Sequence, residues 1–163
     1  MSKYNIRNTV EEDFLDIAEI SSFCPPMINE RNSIYHIFTK FFKSTSLVIE
    51  NKDKKIIGFL VGFISPDNPQ EGYLHQLCIV SPWRKKGLAQ NLVEEFLNIL
   101  RKNGCKKVHL IINPGNKKAL NFYKKLEFQI NNKGKEIIVN GFKTSKNYDG
   151  PGEHKLIYTK ILD

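Results

Sequence analysis

One short segment has residue types that bind phosphate: a basic run, Arg84–Lys86, followed by Gly87. The apolar stretch Leu77–Val80 before it is typical of the end of a buried strand, and a helical pattern begins just after the glycine. The first N–H groups of a helix lack intrahelical partners and carry partial positive charge, so such a turn can hold a pyrophosphate. A solvated basic turn would show the same residues, and the P-loop and dinucleotide glycine patterns are absent.

A second segment, Asn116–Leu126, combines an amphipathic helical pattern with the phenol of Tyr123. A tyrosine with an ordinary pKa of about 10 can donate a proton at neutral pH without being ionised itself. A core tyrosine with a hydrogen-bonded hydroxyl is the alternative interpretation of the same pattern.

The elements that must position these segments alternate between strand and helix. Strands are predicted at Tyr4–Asn8, Ser46–Glu50, Ile56–Ser65, Tyr73–Val80, Val108–Ile112, Phe128–Ile130, Glu136–Phe142 and Leu156–Lys160. Helices are predicted from Phe14, from Asn32 or Ser33, over Ala89–Lys102 and over Asn116–Leu126, with Thr9 and Glu12 as a capping box before the first. This order predicts a mixed α/β fold.

Length and composition limit the range of functions. The 163 residues, 40% of them hydrophobic, predict one globular domain over 1–163. No apolar run is long enough to span a bilayer, and the N-terminus lacks a signal-peptide core, so a cytoplasmic protein is expected. The formal net charge of +8 favours an anionic partner, which is a nucleic acid, an acidic protein or a phosphorylated cofactor.

The three cysteines, Cys24, Cys78 and Cys105, are widely spaced and include no CxxC pair. Such spacing matches neither a zinc site nor a disulfide framework, so three reduced, partly buried thiols are expected.

Taken together, the two segments resemble the GNAT superfamily of acyl-CoA-dependent N-acyltransferases. The stretch Arg84-x-x-Gly87-x-Ala89 is similar to that family's pyrophosphate loop, and Asn116-x-x-Ala119-x-x-Phe122-Tyr123 is similar to its second cofactor motif. The resemblance covers about Tyr4 to Phe128. It implies a mixed, mostly antiparallel sheet flanked by about four helices, acetyl-CoA as cosubstrate and no metal.

The resemblance also implies a role for each motif residue. Backbone groups of Cys78 and Val80 would pair with the pantetheine arm, Asn116 would contact it, and Tyr123 would protonate the leaving thiolate. The cofactor-binding residues implied are Cys78, Ile79, Val80, Arg84, Lys85, Lys86, Gly87, Leu88, Ala89, Gln90, Asn116, Ala119, Phe122 and Tyr123.

Two positions depart from the family pattern. Only Trp83 separates Pro82 from Arg84, where the family usually has two residues, so a tighter turn is expected. Glu127 stands where the family usually has glycine, and a left-handed backbone at that position would strain it.

The general base and the acceptor are less clearly marked. His75 on the fourth strand is a candidate base, with a structural histidine and catalysis through water alone as alternatives. The N-terminal half, including Asn32–Tyr35, also resembles diaminobutyrate acetyltransferases, which carry an acidic residue where Glu30 stands. Candidate acceptor-binding residues are therefore Glu30, Tyr35, Gln76 and, in the Gly- and Pro-rich loop near the C-terminus, Tyr148.

Three functions remain open. The first is acetylation of a small amine, amino-acid-like or polyamine-like, by direct attack in a ternary complex. The second is acetylation of a protein or peptide. The third is a non-catalytic module that binds acyl-CoA or nucleic acid, although no basic stripe interleaved with aromatics favours nucleic acid. A membrane partner is not expected, and a homodimer is a candidate assembly because GNAT enzymes often dimerise.

Overall fold

The computed structural model describes residues 3–163, which form two compact units, one up to Cys105 and one over Lys106–Asp163. In the described part of the chain, no helix is both long enough and apolar enough to cross a bilayer.

The first unit contains four antiparallel strands in the order β1 (Tyr4–Asn8), β2 (Leu47–Asn51), β3 (Ile56–Ile64) and β4 (Glu71–Ile79). Strand β3 is apolar along most of its length because helices cover both of its faces. The predicted β2–β3 hairpin is confirmed.

Helices α1 (Phe14–Ser21) and α2 (Asn32–Phe41) pack on one face of this sheet around Phe59, Val61 and Cys78. Helix α3 (Leu88–Lys102) covers the other face. A Cβ built on Gly62 would lie 2.7 Å from Phe96 Cζ, so the absent side chain lets α3 approach β3 closely.

The predicted capping box before α1 is wrong. The backbone N–H of Val10 donates to the carboxylate of Asp13 at 2.8 Å, so Asp13 and not Glu12 is the acceptor. The carboxylate of Asp13 also binds both terminal nitrogens of Arg7, which the sequence spacing did not show. The hydroxyl of Thr9 is buried without a hydrogen-bond partner among the described residues.

The second unit consists of β5 (Lys107–Ile112), α4 (Lys117–Lys125), β6 (Gln129–Ile130), β7 (Glu136–Val139), β8 (Phe142–Ser145) and β9 (Leu156–Ile161). Strand β9 pairs antiparallel with both β5 and β6, and β7 and β8 form a separate hairpin. The single strand predicted over Glu136–Phe142 is therefore wrong. Asn140 and Gly141 both have positive φ, as a two-residue hairpin turn of type I′ requires.

The expectation of three reduced cysteines is also wrong. Cys24, in the loop between α1 and α2, forms a disulfide with Cys78 of β4, with the two Cα atoms 6.0 Å apart. Cys105 is buried and free, and burial raises the pKa of its thiol. Spacing did not reveal the pair because 54 residues separate the two sulfurs along the chain.

Candidate active site

A β-bulge in β4 shapes the first part of the site. Val61 pairs with Gln76 and the next residue of β3 pairs with Leu74, so His75 is an extra residue in β4. A bulge of this kind turns two successive side chains toward the same face. The His75 ring accordingly stacks on Phe38 of α2 at 5.2 Å between centroids, and Gln76 also reaches this helix.

Glu30 and His75 form a pair that solvent reaches. His75 Nε2 lies 3.1 Å from Glu30 Oε1, and the two side chains are 26% and 28% exposed. The two residues are 45 positions apart, on the α1–α2 loop and on β4. The structure thus brings together two of the residues that the sequence singled out.

Tyr35 and Gln76 support this pair from the interior. Tyr35 Oη donates to Gln76 Oε1 at 2.8 Å and accepts from Glu30 N at 3.2 Å. Gln76 Nε2 donates to the carbonyl of Ile28 at 2.7 Å. Because Tyr35 is 0% and Gln76 6% exposed, these side chains fix the loop that carries Glu30.

Aromatic side chains surround His75, and sequence reasoning did not assign them to the site. We call this set, which consists of Phe38, Phe42, Phe63 and Tyr73, the aromatic cluster. Its successive ring centroids lie between 5.2 and 6.4 Å apart, and Tyr73 is 5.9 Å from the His75 ring. Phe63 and Tyr73 are directly opposite each other on β3 and β4, a cross-strand pairing that the hairpin pattern could have suggested.

The basic turn leads directly into α3. A 3-10 turn over Ser81–Trp83 follows β4, Lys85 and Gly87 have φ of +62° and +78°, and α3 begins at Leu88. The bond from Asn91 N to Gly87 O, at 3.0 Å, belongs to the first turn of α3, so the N–H groups before Asn91 are available to a ligand. A Cβ on Gly87 would meet no atom within 4 Å, so the space above this turn is open.

Arg84 occupies a different place from its two basic neighbours. Its Nε donates to Ile79 O at 2.7 Å and its Nη2 donates to Phe23 O at 2.8 Å. The guanidinium therefore fixes the turn to the end of β4 and to the α1–α2 loop. Lys85 and Lys86 are exposed, with Lys86 Nζ 5.2 Å from the centre of the Trp83 ring.

One expected cofactor contact is wrong. The N–H of Val80 donates to Ile57 O at 2.9 Å, so it faces β3 and is not free for a pantetheine arm. The backbone N–H and carbonyl groups of Cys78, two residues earlier, also face β3. Backbone groups of the alternate residue Ile79 point away from β3, and its carbonyl accepts from Arg84. The sequence did not show which edge each residue would present, because that depends on strand pairing.

In the second unit, α4 holds the second motif. Asn116 is the N-cap residue, and its side-chain oxygen accepts from Ala119 N at 3.2 Å. Tyr123 is buried, with its ring 5.0 Å from that of Phe122 and 5.4 Å from that of Phe128. Burial raises the pKa of Tyr123, so its phenol stays protonated at neutral pH and can donate a proton.

The end of α4 fixes the position of Tyr123. Phe128 N donates to Tyr123 O at 3.0 Å and Glu127 N donates to Lys124 O at 3.0 Å, which together form a Schellman motif. The residue at its left-handed position is Glu127, with φ of +66°. Glu127 therefore has the left-handed backbone that strains a residue with a Cβ.

The remaining candidate, Tyr148, lies in the loop between β8 and β9 and is exposed. Asn147 organises this loop, because its side-chain oxygen accepts from Gly152 N at 2.9 Å. Within residues 3–163, no group of three or more His, Cys, Asp or Glu side chains is placed to hold a metal ion.

A model of the Acetyltransferase (GNAT) family matches residues 14–128, a span that includes the β4 bulge, the basic turn and α4. The chain belongs to the GNAT family. The L-2,4-diaminobutyric acid acetyltransferase of Chromohalobacter salexigens is 26% identical over 121 residues, which are 74% of this chain and 63% of that protein. The match thus spans less than two thirds of this relative's length.

Solved structures share the GNAT fold. Ard1 from Thermoplasma volcanium has a TM-score of 0.80 at 19% identity, covering 99% of each chain. Diaminobutyrate acetyltransferase EctA from Paenibacillus lautus, solved with L-2,4-diaminobutyric acid and coenzyme A, has a TM-score of 0.76 at 17% identity, covering 100% of this chain and 98% of that one. The expected mixed α/β fold, with mostly antiparallel strands and four helices, is confirmed.

Proposed function

We propose that this protein, acting as one domain over 1–163, transfers an acetyl group from acetyl-CoA to the primary amine of a small, positively charged acceptor. The turn over Lys85–Gly87 carries the proposal. It combines open space above Gly87, two exposed lysines and the free N–H groups at the start of α3. These features fit a pyrophosphate, whose charges the lysines and the helix terminus would balance. Acetyl-CoA, when bound there, supplies the acetyl thioester.

The Glu30–His75 pair suits the acceptor. A carboxylate has two oxygens, and Oε1 of Glu30 contacts His75 Nε2. The other oxygen can accept a hydrogen bond from an ammonium group, an interaction stronger than a bond between neutral groups. A short cationic amine would therefore be held beside the imidazole.

His75 and Tyr123 would move the protons. When His75 Nε2–H donates to Glu30, the lone pair of Nδ1 is left to accept a proton from the attacking amine. Tyr123, kept neutral by burial, would give its phenolic proton to the departing thiolate. Asn116 would act mainly by starting α4 at the correct residue, because its side chain caps this helix.

Two acceptor classes compete within this proposal. Relatives that are named L-2,4-diaminobutyric acid acetyltransferases favour a diamino acid, and Glu30 supplies the matching negative charge. The aromatic cluster favours instead a peptide N-terminus with an apolar first side chain, which would pack against the rings beside His75. Tyr148, as an exposed loop residue, would contact either acceptor.

The test is thiol release from acetyl-CoA across a panel of 2,4-diaminobutyrate, lysine, polyamines and N-terminal peptides. We expect turnover with a cationic amine and a fall in kcat of about 10²- to 10⁴-fold in the variant Tyr123→Phe, the usual contribution of a general acid. Coenzyme A binding, measured by calorimetry, should be unchanged in this variant because the basic turn is intact.

Tyr158→Phe is the matched control, since Tyr158 is a second buried tyrosine of the same unit, with Oη 3.4 Å from Leu120 O. It should retain turnover. Equal turnover in Tyr123→Phe and the parent would remove the proton-donor role. Coenzyme A binding without turnover on any acceptor would favour the non-catalytic module, and absence of coenzyme A binding would contradict the proposed function.

A further inference from the structure

The disulfide joins two cysteines that differ in accessibility. Cys24 is half-buried in the α1–α2 loop, whereas Cys78 of β4 is 2% exposed. A reagent in solution therefore reaches the sulfur of Cys24 first, and Cys78 is a buried partner already in position to complete the bond.

Arg84 places a positive charge beside the accessible sulfur. Its Nη2 lies 3.4 Å from Cys24 Sγ and also donates to Phe23 O in the same loop. A cation next to a thiol favours the thiolate, which is the form that reacts with oxidants and with disulfides. The nearby cation distinguishes Cys24 from Cys105, which is a buried thiol whose pKa is raised by burial.

The same loop carries the acceptor-side carboxylate. Three side-chain links hold it to β4 and to the turn after β4: the disulfide, the bonds of Arg84, and the bond from Gln76 Nε2 to Ile28 O. Glu30 follows Ile28 by two residues and contacts His75. Opening the disulfide removes the covalent link and leaves Glu30 held by hydrogen bonds alone.

We propose that Cys24 and Cys78 are a reversible redox site that sets the order of the α1–α2 loop and hence the affinity for the acceptor. Its effect on activity rests on the proposed function. The oxidant is a hydroperoxide. The Cys24 thiolate attacks the terminal peroxide oxygen, which breaks the O–O bond, releases an alcohol or water and leaves a sulfenic acid. The Cys78 thiol then attacks the Cys24 sulfur, the S–S bond forms and water leaves; in total two electrons and two protons pass to the peroxide.

Thiol counting tests the redox site without any activity. After hydroperoxide treatment, denaturation and alkylation, mass spectrometry should show one modified cysteine out of the three in the sequence, and three after dithiothreitol. The single modified residue should be Cys105. Three modified cysteines after hydroperoxide treatment would overturn the proposal.

Loop order and acceptor affinity test the consequence. We expect amide hydrogen exchange over residues 22–31 to be at least about fivefold faster in the reduced protein, and the acceptor KM to rise by a similar factor. Cys24→Ser should match the reduced protein under both conditions, and Cys105→Ser should respond as the parent does. Equal exchange rates in the oxidised and reduced forms would overturn the proposal. This exchange measurement remains decisive if no acceptor is turned over, an outcome that would count against the proposed function only.

Discussion

Replacing Glu127 with glycine should stabilise the protein, and a second helix end provides an internal standard. Helices α3 and α4 end in the same Schellman motif, with bonds from Cys105 N to Leu100 O and from Phe128 N to Tyr123 O, both 3.0 Å. The left-handed residue is Gly104 in one motif, with φ of +82°, and Glu127 in the other, with φ of +66°. The two ends therefore differ mainly in whether the left-handed residue carries a Cβ.

The magnitude follows from three contributions. A left-handed backbone costs a residue with a Cβ about 1–2 kcal/mol, whereas glycine costs about 0.5–1 kcal/mol in additional chain entropy. The ion pair between Glu127 and Lys160, at 3.3 Å, contributes little because the Glu127 side chain is 86% exposed. Glu127→Gly should thus raise the free energy of unfolding by about 0.5–1 kcal/mol, or the melting temperature by about 1–4 °C.

Urea denaturation of three variants separates these contributions. Glu127→Ala removes the ion pair but keeps the Cβ, so its free energy of unfolding should stay close to that of the parent. Gly104→Ala should lower the free energy of unfolding by about 0.5–1 kcal/mol. The new Cβ meets no atom within 4 Å, so the loss comes only from the left-handed backbone that alanine must adopt. The reasoning is refuted if Glu127→Gly is less stable than Glu127→Ala, or if Gly104→Ala is as stable as the parent.

Two further predictions concern charge and pH. Arg7→Met should lower the free energy of unfolding, measured by urea denaturation, by about 3–5 kcal/mol. The reason is that Asp13 and Glu50, each with a side chain only 8% exposed, lose the cation that they share. A loss below about 1 kcal/mol would contradict this prediction. Because burial raises the pKa of Tyr123 above the unfolded value of about 10, the unfolded chain loses this proton first and stability should fall as pH rises above about 10. Between about pH 9 and about pH 11, the free energy of unfolding measured by urea denaturation should fall less in Tyr123→Phe than in the parent protein. Equal falls in the two proteins would argue against the burial of this phenol.

Local features of this protein could be predicted from the sequence by itself. Helix periodicity located α3 and α4 to within one residue at each end, because apolar spacing and backbone hydrogen bonding involve only nearby residues. Glu127 was singled out from the sequence as a departure from the family pattern, and its backbone is left-handed. The two cofactor motifs were also recognisable, because each is contiguous in the chain.

Only the tertiary structure decided which distant side chains meet. The pairing of Cys24 with Cys78 and of Glu30 with His75 spans 54 and 45 residues, and no local pattern encodes such separations. The bulge that turns His75 toward α2 depends on how β3 and β4 pair, as does the edge to which Val80 directs its N–H. Residue types and spacing thus determined the helices, most of the strands and the motifs, whereas long-range packing and strand pairing decided the acceptor side of the site.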